Sequence, residues 1–317
     1  MKKVVKSIIL VVFAVILSSE TAAGSDNAGS FMEKGSGARA VSLGSSFVGL
    51  ADDSSAVFWN AAGLVQLQRQ QASVMSYRAF ETNYFNADYH VPFAGLHWGA
   101  GITGAVVDGI IPAEYDSVSK RHKESGSAFG YKAMAVYLST AYRITDNFSA
   151  GITGKIIQEK LYSKQASGYG LDAGLMYKPS EHISFGLNVQ NLIRPQLEWD
   201  TASKNVDSIP LNIKTGSAIS LFNNTLIVLT DLNFRKNRPV IINVGVEYWL
   251  NRYLAVRSGV EIVSDQLSVI GKRISKLEKV SCGVGLVLNP VRLDFSWSNN
   301  DLSGLDAVYR ISAGLDF

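Results

Sequence analysis

Apolar and polar side chains alternate along most of the chain from residue 70 to its end. The alternation is clearest in residues 309–317. Every second residue from Tyr309 to Phe317 is apolar, and the positions between them, from Arg310 to Asp316, are polar or glycine. A period of two is typical of a β-strand with one apolar and one polar face. The pattern predicts about fourteen strands, near residues 70–79, 83–93, 95–107, 127–143, 147–160, 167–178, 181–192, 209–221, 225–236, 238–250, 252–263, 276–288, 291–300 and 305–317.

Short and long connections alternate between these strands. Short turns rich in Gly, Pro, Asn and Asp are predicted at 92–95, 145–147, 179–181, 222–224, 250–252 and 289–290. Longer loops are predicted near 108–127, 161–167, 193–208, 264–275 and 301–304. This is the topology of a bacterial outer-membrane barrel with both termini in the periplasm. We therefore predict an all-β fold, a transmembrane antiparallel β-barrel of about 14 strands formed by residues 70–317.

The polar faces of the predicted strands carry charges of both signs. A shift of one residue in register would turn these charges toward lipid, at a cost of about 2–4 kcal/mol for each Arg or Lys at the bilayer midplane. We expect salt bridges across a narrow lumen; the alternative is the solvated face of a soluble sheet. The charges predicted to face the lumen are Lys155, Asp172, Lys214, Asp231, Arg235, Glu247, Arg257, Glu261, Arg292, Asp294, Arg310 and Asp316.

The first 23 residues have the pattern of a secretion signal. Three lysines precede an apolar stretch at 8–17, and small residues follow at 21–23. Cleavage after Ala23 would lower the formal net charge from +3 to about +1, since three lysines and Glu20 are lost. An uncleaved anchor is the alternative. The net charge is small and the sequence has no block of Lys and Arg residues, so it does not indicate nucleic acid as a partner. Cys282 is the single cysteine, which excludes an intrachain disulfide.

Residues 24–69 do not alternate and are rich in small side chains. Asp52 or Asp53 is expected to cap a short helix that runs through Trp59, and Gly63 is expected to end it. Small side chains allow close backbone packing in a confined space. We interpret 24–69 as a plug, or hatch, inside the lumen; a periplasmic extension under the barrel is the alternative.

One part of this segment resembles the N-terminal signature of the PorV/PorQ family, which belongs to the wider FadL-type group of long-chain fatty-acid transporters. The family pattern is roughly G-A-R-A, L-G-x-A-F-V, A-D-D-x-S-A and W-N-P-A-G-L. This chain departs from it at Ala61, where the family usually has proline, and at 45–46, where serines replace small apolar residues. The residues that carry the resemblance or lie within it are Gly37, Ala38, Arg39, Leu43, Gly44, Phe47, Asp52, Asp53, Phe58, Trp59, Asn60, Gly63 and Leu64.

The resemblance implies an outer-membrane barrel with a hatch in its lumen. Within it, Arg39 is expected to pair with Asp52, Asp53 or a lumenal acid, while Phe58 and Trp59, with Leu64, either contact a ligand or wedge the hatch. The implied function is passive passage of a hydrophobic small molecule. The alternative is a type IX secretion component that binds exported proteins through the loops at 108–127 and 193–208. The implied partners are membrane lipid and either a hydrophobic ligand or secretion-system proteins.

Catalytic and metal-binding patterns are weak in this sequence. The four histidines have no metal-ligand spacing. The glycine-rich run at 99–104 lies inside a predicted strand with no helix after it, so it does not fit a dinucleotide site. We predict no catalytic residue, no cofactor and no metal. A barrel hydrolase with His97 as the base is the weaker alternative.

Overall fold

The computed structural model describes residues 28–116, 120–235, 238–264, 276–299 and 307–317, so the predicted signal peptide lies outside the described residues. Four short helical elements precede the strands. They are a 3₁₀ turn at Ser30–Lys34, helix α1 (Ala38–Ser42), helix α2 (Ala56–Trp59) and a second 3₁₀ turn at Ala61–Gln66. None of the described helices is long and apolar enough to cross a membrane.

Strands make up the rest of the described chain. Their bounds are β1 (Gln71–Ala79), β2 (Thr82–Phe93), β3 (Leu96–Ile110), β4 (Ala113–Asp116), β5 (Arg121–Glu124), β6 (Phe129–Thr145), β7 (Phe148–Leu161), β8 (Lys164–Ser180), β9 (Ile183–Ile193), β10 (Gln196–Trp199), β11 (Val206–Ser208), β12 (Asn212–Leu221), β13 (Leu226–Arg235), β14 (Val240–Trp249), β15 (Leu254–Ser264), β16 (Lys276–Leu288), β17 (Val291–Ser298) and β18 (Val308–Asp316).

Fourteen of these strands close into one antiparallel barrel, as the sequence predicts. Strands β1–β3, β6–β9 and β12–β18 each pair with the next strand of the wall. The last strand returns to the first, with Asp316 opposite Gln71 and Ile311 opposite Ser76. Closure leaves no free edge, so the backbone of every wall strand has partners on both sides.

The connections are less regular than predicted. The loops near 108–127 and 193–208 contain hairpins, β4–β5 and β10–β11, and β10 also pairs with β8. The long loop predicted at 161–167 is wrong, because β7 and β8 stay paired up to Leu161 and Lys164. Tyr162 adopts a positive φ of 56°, as a tight hairpin turn requires. A tyrosine in the sequence does not indicate this conformation. The loops predicted at 264–275 and 301–304 lie outside the described residues, except for Ser264.

The two faces of the wall have opposite chemistry. Leu138, Ile156 and Ile311 are each more than half exposed on the outer face, whereas Glu247 and Lys155 are buried on the inner face. A water-soluble sheet has the reverse arrangement, with apolar residues inside and charges outside. Apolar side chains outside and polar ones inside are the pattern of a barrel surrounded by lipid.

Candidate functional site

The described part of the chain that precedes β1 lies inside the barrel. We call residues 28–67 the inner segment. Strands that are far apart around a closed wall can bond to one segment only if it occupies the lumen. Serine hydroxyls from four such strands bond to backbone atoms of the inner segment: Ser149 of β7, Ser184 of β9, Ser281 of β16 and Ser312 of β18.

Glycines in the wall allow the inner segment to lie directly against the strands. A Cβ atom built on Gly186 would lie 2.0 Å from the carbonyl oxygen of Val48, and one built on Gly259 would lie 2.0 Å from the nitrogen of Gly44. Real side chains do not tolerate such contacts, so only glycine fits at these two wall positions.

Two polar side chains satisfy backbone groups of the inner segment that no regular element would satisfy. Asp231 Oδ2 accepts the backbone N–H groups of Phe47 and Val48, both at 2.8 Å. Asn60 Nδ2 donates to the carbonyl oxygens of Val48 and Leu175, both at 3.1 Å. A buried backbone group without a partner is costly, so these bonds help to hold the segment in place.

Asn60 also ends α2, which makes the predicted role of Gly63 wrong. Asn60 is extended, with φ −164°, and its Oδ1 accepts the N–H of Ala62 at 3.2 Å to begin the second 3₁₀ turn. Gly63 lies within that turn, where an added Cβ would meet the Ala51 carbonyl oxygen. The predicted cap at the start of α2 differs from the structure as well. Asp53 Oδ1 accepts hydrogen bonds from the N–H and the hydroxyl of Ser55, which directly precedes the helix.

An ionic network joins the inner segment to the wall. Arg39 donates from Nε and Nη2 to the two carboxylate oxygens of Glu247, both at 2.9 Å, and from Nη1 to Asp52 at 2.6 Å and Asp53 at 3.3 Å. Arg257 Nε donates to Glu247 Oε2, the oxygen that also accepts from Arg39 Nε, at 2.5 Å.

The network continues with Arg257 Nη1, which donates to Asp294 at 2.6 Å, so two arginines together form ion pairs with four carboxylates. Burial lowers the pKa of Arg39, but Asp52, Glu247 and Asp53 together outweigh it and raise this pKa well above its ordinary value. Arg39 therefore carries a permanent charge in this position.

The remaining charges predicted for the lumen divide into two groups. Some form ion pairs: Lys155 with Asp172 at 2.7 Å, Arg292 with Asp316 at 3.1 Å, and Arg235 with Glu33 of the inner segment at 2.7 Å. The others bond to neutral groups: Arg310 to Ser298 and the Tyr77 ring, Glu261 to Asn243, Asp231 to backbone N–H groups, and Lys214 to the Trp59 ring. Tyr309 and Phe317 lie outside, exposed.

The aromatic residues of the inner segment have different surroundings. Trp59 is buried, packs edge-on against Phe47 with ring centroids 6.2 Å apart, and donates from Nε1 to the carbonyl oxygen of Ser36. Phe58 is only partly buried and packs edge-on against Tyr137 of β6 at 5.0 Å. Leu64 is fully buried, as are the motif residues Ala38 and Leu43. Trp59 thus contacts residues of the inner segment, whereas Phe58 contacts the barrel wall.

Two cavities lie on opposite sides of the inner segment and share no lining residue. The first cavity, of about 250 Å³, is lined by Phe58, Trp59 and Lys214 and extends toward the end of the barrel that carries the long loops. The second cavity, of about 290 Å³, is lined by Arg39 and Trp249 and lies at the end with the short turns.

The described residues show little that favours catalysis or metal binding. They contain no group of three or more His, Cys, Asp or Glu side chains placed to hold a metal ion. The proposed base, His97, contacts another histidine, with 3.2 Å between His97 Nδ1 and His90 Nε2. The second ring nitrogen of His90 bonds to the carbonyl oxygen of Arg69, just before β1.

No protein-family profile matches the chain, and no curated protein sequence matches it. Solved structures do. The Pseudomonas putida toluene transporter TodX is similar with a TM-score of 0.65 and 13% identity, covering 90% of this chain and 99% of that one. The Ralstonia pickettii toluene transporter TbuX is similar with a TM-score of 0.64 and 13% identity, covering 90% of this chain and 99% of that one. A Pseudomonas aeruginosa FadL homologue is similar with a TM-score of 0.57 and 13% identity, covering 87% of this chain and 96% of that one. The chain therefore has the fold of the FadL-type hydrocarbon transporters.

Proposed function

We propose that this protein is an outer-membrane channel that lets hydrophobic small molecules pass passively, and that the inner segment is its hatch. Three observations support the proposal: the fold shared with toluene transporters, the apolar outer face of the barrel, and the predicted secretion signal at residues 1–23. On this proposal both ends of the mature chain are periplasmic, and no residue acts in catalysis.

One observation carries the gating part of the proposal, namely that the inner segment fills the lumen between two separate cavities. On this proposal, a molecule that moves from one cavity to the other displaces part of this segment. Polar bonds such as those of Arg39 and Asp231 hold the segment to the wall, and buried apolar side chains such as Phe47 and Leu64 pack against the wall as well. A movement of the segment breaks some of these contacts and leaves the hydrogen-bonded wall intact.

Uptake by whole cells tests the proposal. Gram-negative cells that express the full chain should take up labelled toluene faster than cells with an empty vector, and Arg39→Gln should raise the rate further by loosening the hatch. The matched control is Arg78→Gln, since Arg78 pairs with Glu81 on the surface, where both side chains are largely exposed. Equal uptake with and without the protein, for both the wild type and Arg39→Gln, would rule out a channel for this class of molecule.

The secretion role is our second candidate. It is favoured by the two hairpins that extend the long-loop end, β4–β5 and β10–β11, and by the resemblance of residues 37–64 to the PorV/PorQ signature. Photo-crosslinking groups placed at Glu114 and Glu198 in the native envelope should then capture exported proteins. If neither position forms an adduct while the protein is present in the membrane, this role is wrong.

A further inference from the structure

The first cavity is unexpectedly polar for a channel that passes hydrocarbons. One part of its lining is apolar, with Phe58, Tyr137 and Ile209 side by side with Pro210. The remainder carries charged side chains from the wall and from the 3₁₀ turn at Ser30–Lys34. Six of these side chains are basic, among them Lys214 and Arg235, and four are acidic, among them Glu33, Asp231 and Glu261.

Lys214 forms no direct ion pair with any of the described residues. Among the described residues no carboxylate oxygen lies within 4 Å of Lys214 Nζ; its contact is with the ring of Trp59, 5.2 Å from the centroid. Its backbone lies in β12, which directs the side chain into the cavity. An ammonium group that lines a cavity is stabilised most by an anion that bonds to it directly.

The acids around Lys214 are each committed to another partner. Asp231 accepts two backbone N–H groups of the inner segment. Glu33 pairs with Arg235 at 2.7 Å, and Glu261 accepts a hydrogen bond from Asn243. None of these carboxylates lies within 4 Å of Lys214 Nζ, so the cation can still form a direct ion pair with a ligand.

We infer that the first cavity is a binding site for a small aromatic carboxylate. The carboxylate group would pair with Lys214, and the ring would pack against Phe58 and Tyr137, which already meet edge to face. A volume of about 250 Å³ is below the roughly 300–1,000 Å³ of pockets for drug-sized ligands, so the site takes a single ring rather than a long chain. The inference rests on the proposed function, because it names the class of molecule that this channel selects.

Three probes of nearly equal shape separate charge from size: benzoate, toluene and benzylamine. Calorimetry on the purified full-length protein in detergent measures their affinities. Benzoate should bind about 10- to 100-fold more tightly than toluene, with benzylamine weakest, because a hydrogen bond between charged groups adds to the ring contacts that all three probes can make. Lys214→Met should remove this preference while leaving toluene binding as it is. Lys214→Arg should retain it, and Lys160→Met, at an exposed lysine of β7, should not change it.

Toluene or benzylamine binding as tightly as benzoate would overturn the inference, and so would an unchanged benzoate affinity in Lys214→Met. Toluene affinity and the circular dichroism spectrum of Lys214→Met show whether the variant is folded. If it is not, Lys214→Gln takes its place under the same criteria. The proposed channel is tested separately, because toluene uptake that depends on Arg39 would stand even if the cavity proved indifferent to charge.

Discussion

Replacing Arg39 should release the inner segment from the wall while leaving the barrel intact. In Arg39→Gln, Asp52, Asp53 and Glu247 lose the cation that joins them, although Glu247 keeps Arg257. Breaking a buried ion pair by removing one partner costs about 3–5 kcal/mol. The removed side chain belongs to the inner segment, so this cost falls on the docked state of that segment and not on the fourteen-stranded wall.

The expected effect is large enough to be measured by hydrogen exchange. A change of 1.4 kcal/mol is a factor of ten in an equilibrium constant, so about 3–5 kcal/mol corresponds to roughly a 100- to 3,000-fold larger open population of the inner segment. Amides in residues 38–53 should exchange faster by up to this factor in Arg39→Gln, while amides of the wall strands keep their protection.

Arg78→Gln provides the matched control, because it removes an arginine from an exposed pair that is worth about 0–1 kcal/mol. It should leave the exchange of residues 38–53 as in the wild type. The reasoning is refuted if Arg39→Gln leaves these amides as protected as before, or if the wall strands lose protection to the same extent. The second result would mean that the inner segment is part of the barrel's folding core and cannot move alone.

Three further substitutions, one of them with a matched control, test separate parts of the account. Asp231→Asn should weaken two charge-assisted bonds by about 1–2 kcal/mol in total, seen as faster exchange of the Phe47 and Val48 amides; unchanged exchange would contradict this. Gly259→Ala should destabilise the docked segment by about 1–3 kcal/mol in urea unfolding. Gly154→Ala should be neutral, because an added Cβ there meets nothing closer than 4.0 Å, and equal effects would refute the packing argument. Ile311→Arg should cost up to about 2–4 kcal/mol in vesicles if this exposed residue faces lipid, and no cost would contradict lipid contact.

The barrel wall could be predicted almost completely from the sequence. All fourteen wall strands were identified, and their ends agree with the structure within three residues. Strands that are polar on one face and apolar on the other leave a period-two pattern that does not depend on their partners. The hairpins β4–β5 and β10–β11 were missed because strands of three or four residues are too short to show a period-two pattern. The turn at Tyr162 was missed because a tyrosine is not among the residues that mark a turn with positive φ.

The contacts inside the lumen could be predicted only in part. Pairing of Arg39 with Asp52, Asp53 or a lumenal acid was expected from the resemblance, but spacing does not reveal that this acid is Glu247, which is 208 residues away in the chain. Asp231 was expected to join a salt bridge, whereas it accepts backbone N–H groups. A signal for close backbone contact did exist: Gly186 and Gly259 occupy positions on the polar faces of their strands, where a side chain would otherwise enter the lumen.

A reversible lock on the inner segment tests the central claim most directly. Ser312 Oγ lies 3.3 Å from the nitrogen of Ala38, so cysteines at these two positions are near enough to be bridged. Cys282 is replaced by serine to avoid side reactions, and cysteines at Val74 and Ala313, which are paired wall residues, provide the control. The assay uses liposomes whose outer leaflet contains lipopolysaccharide. The account predicts that the oxidised Ala38–Ser312 variant passes neither toluene nor benzoate and that reduction restores passage of both. The Val74–Ala313 control variant should pass the same probes in its oxidised and reduced states. Equal passage through the oxidised and reduced forms of the Ala38–Ser312 variant would contradict the claim that this segment closes the channel.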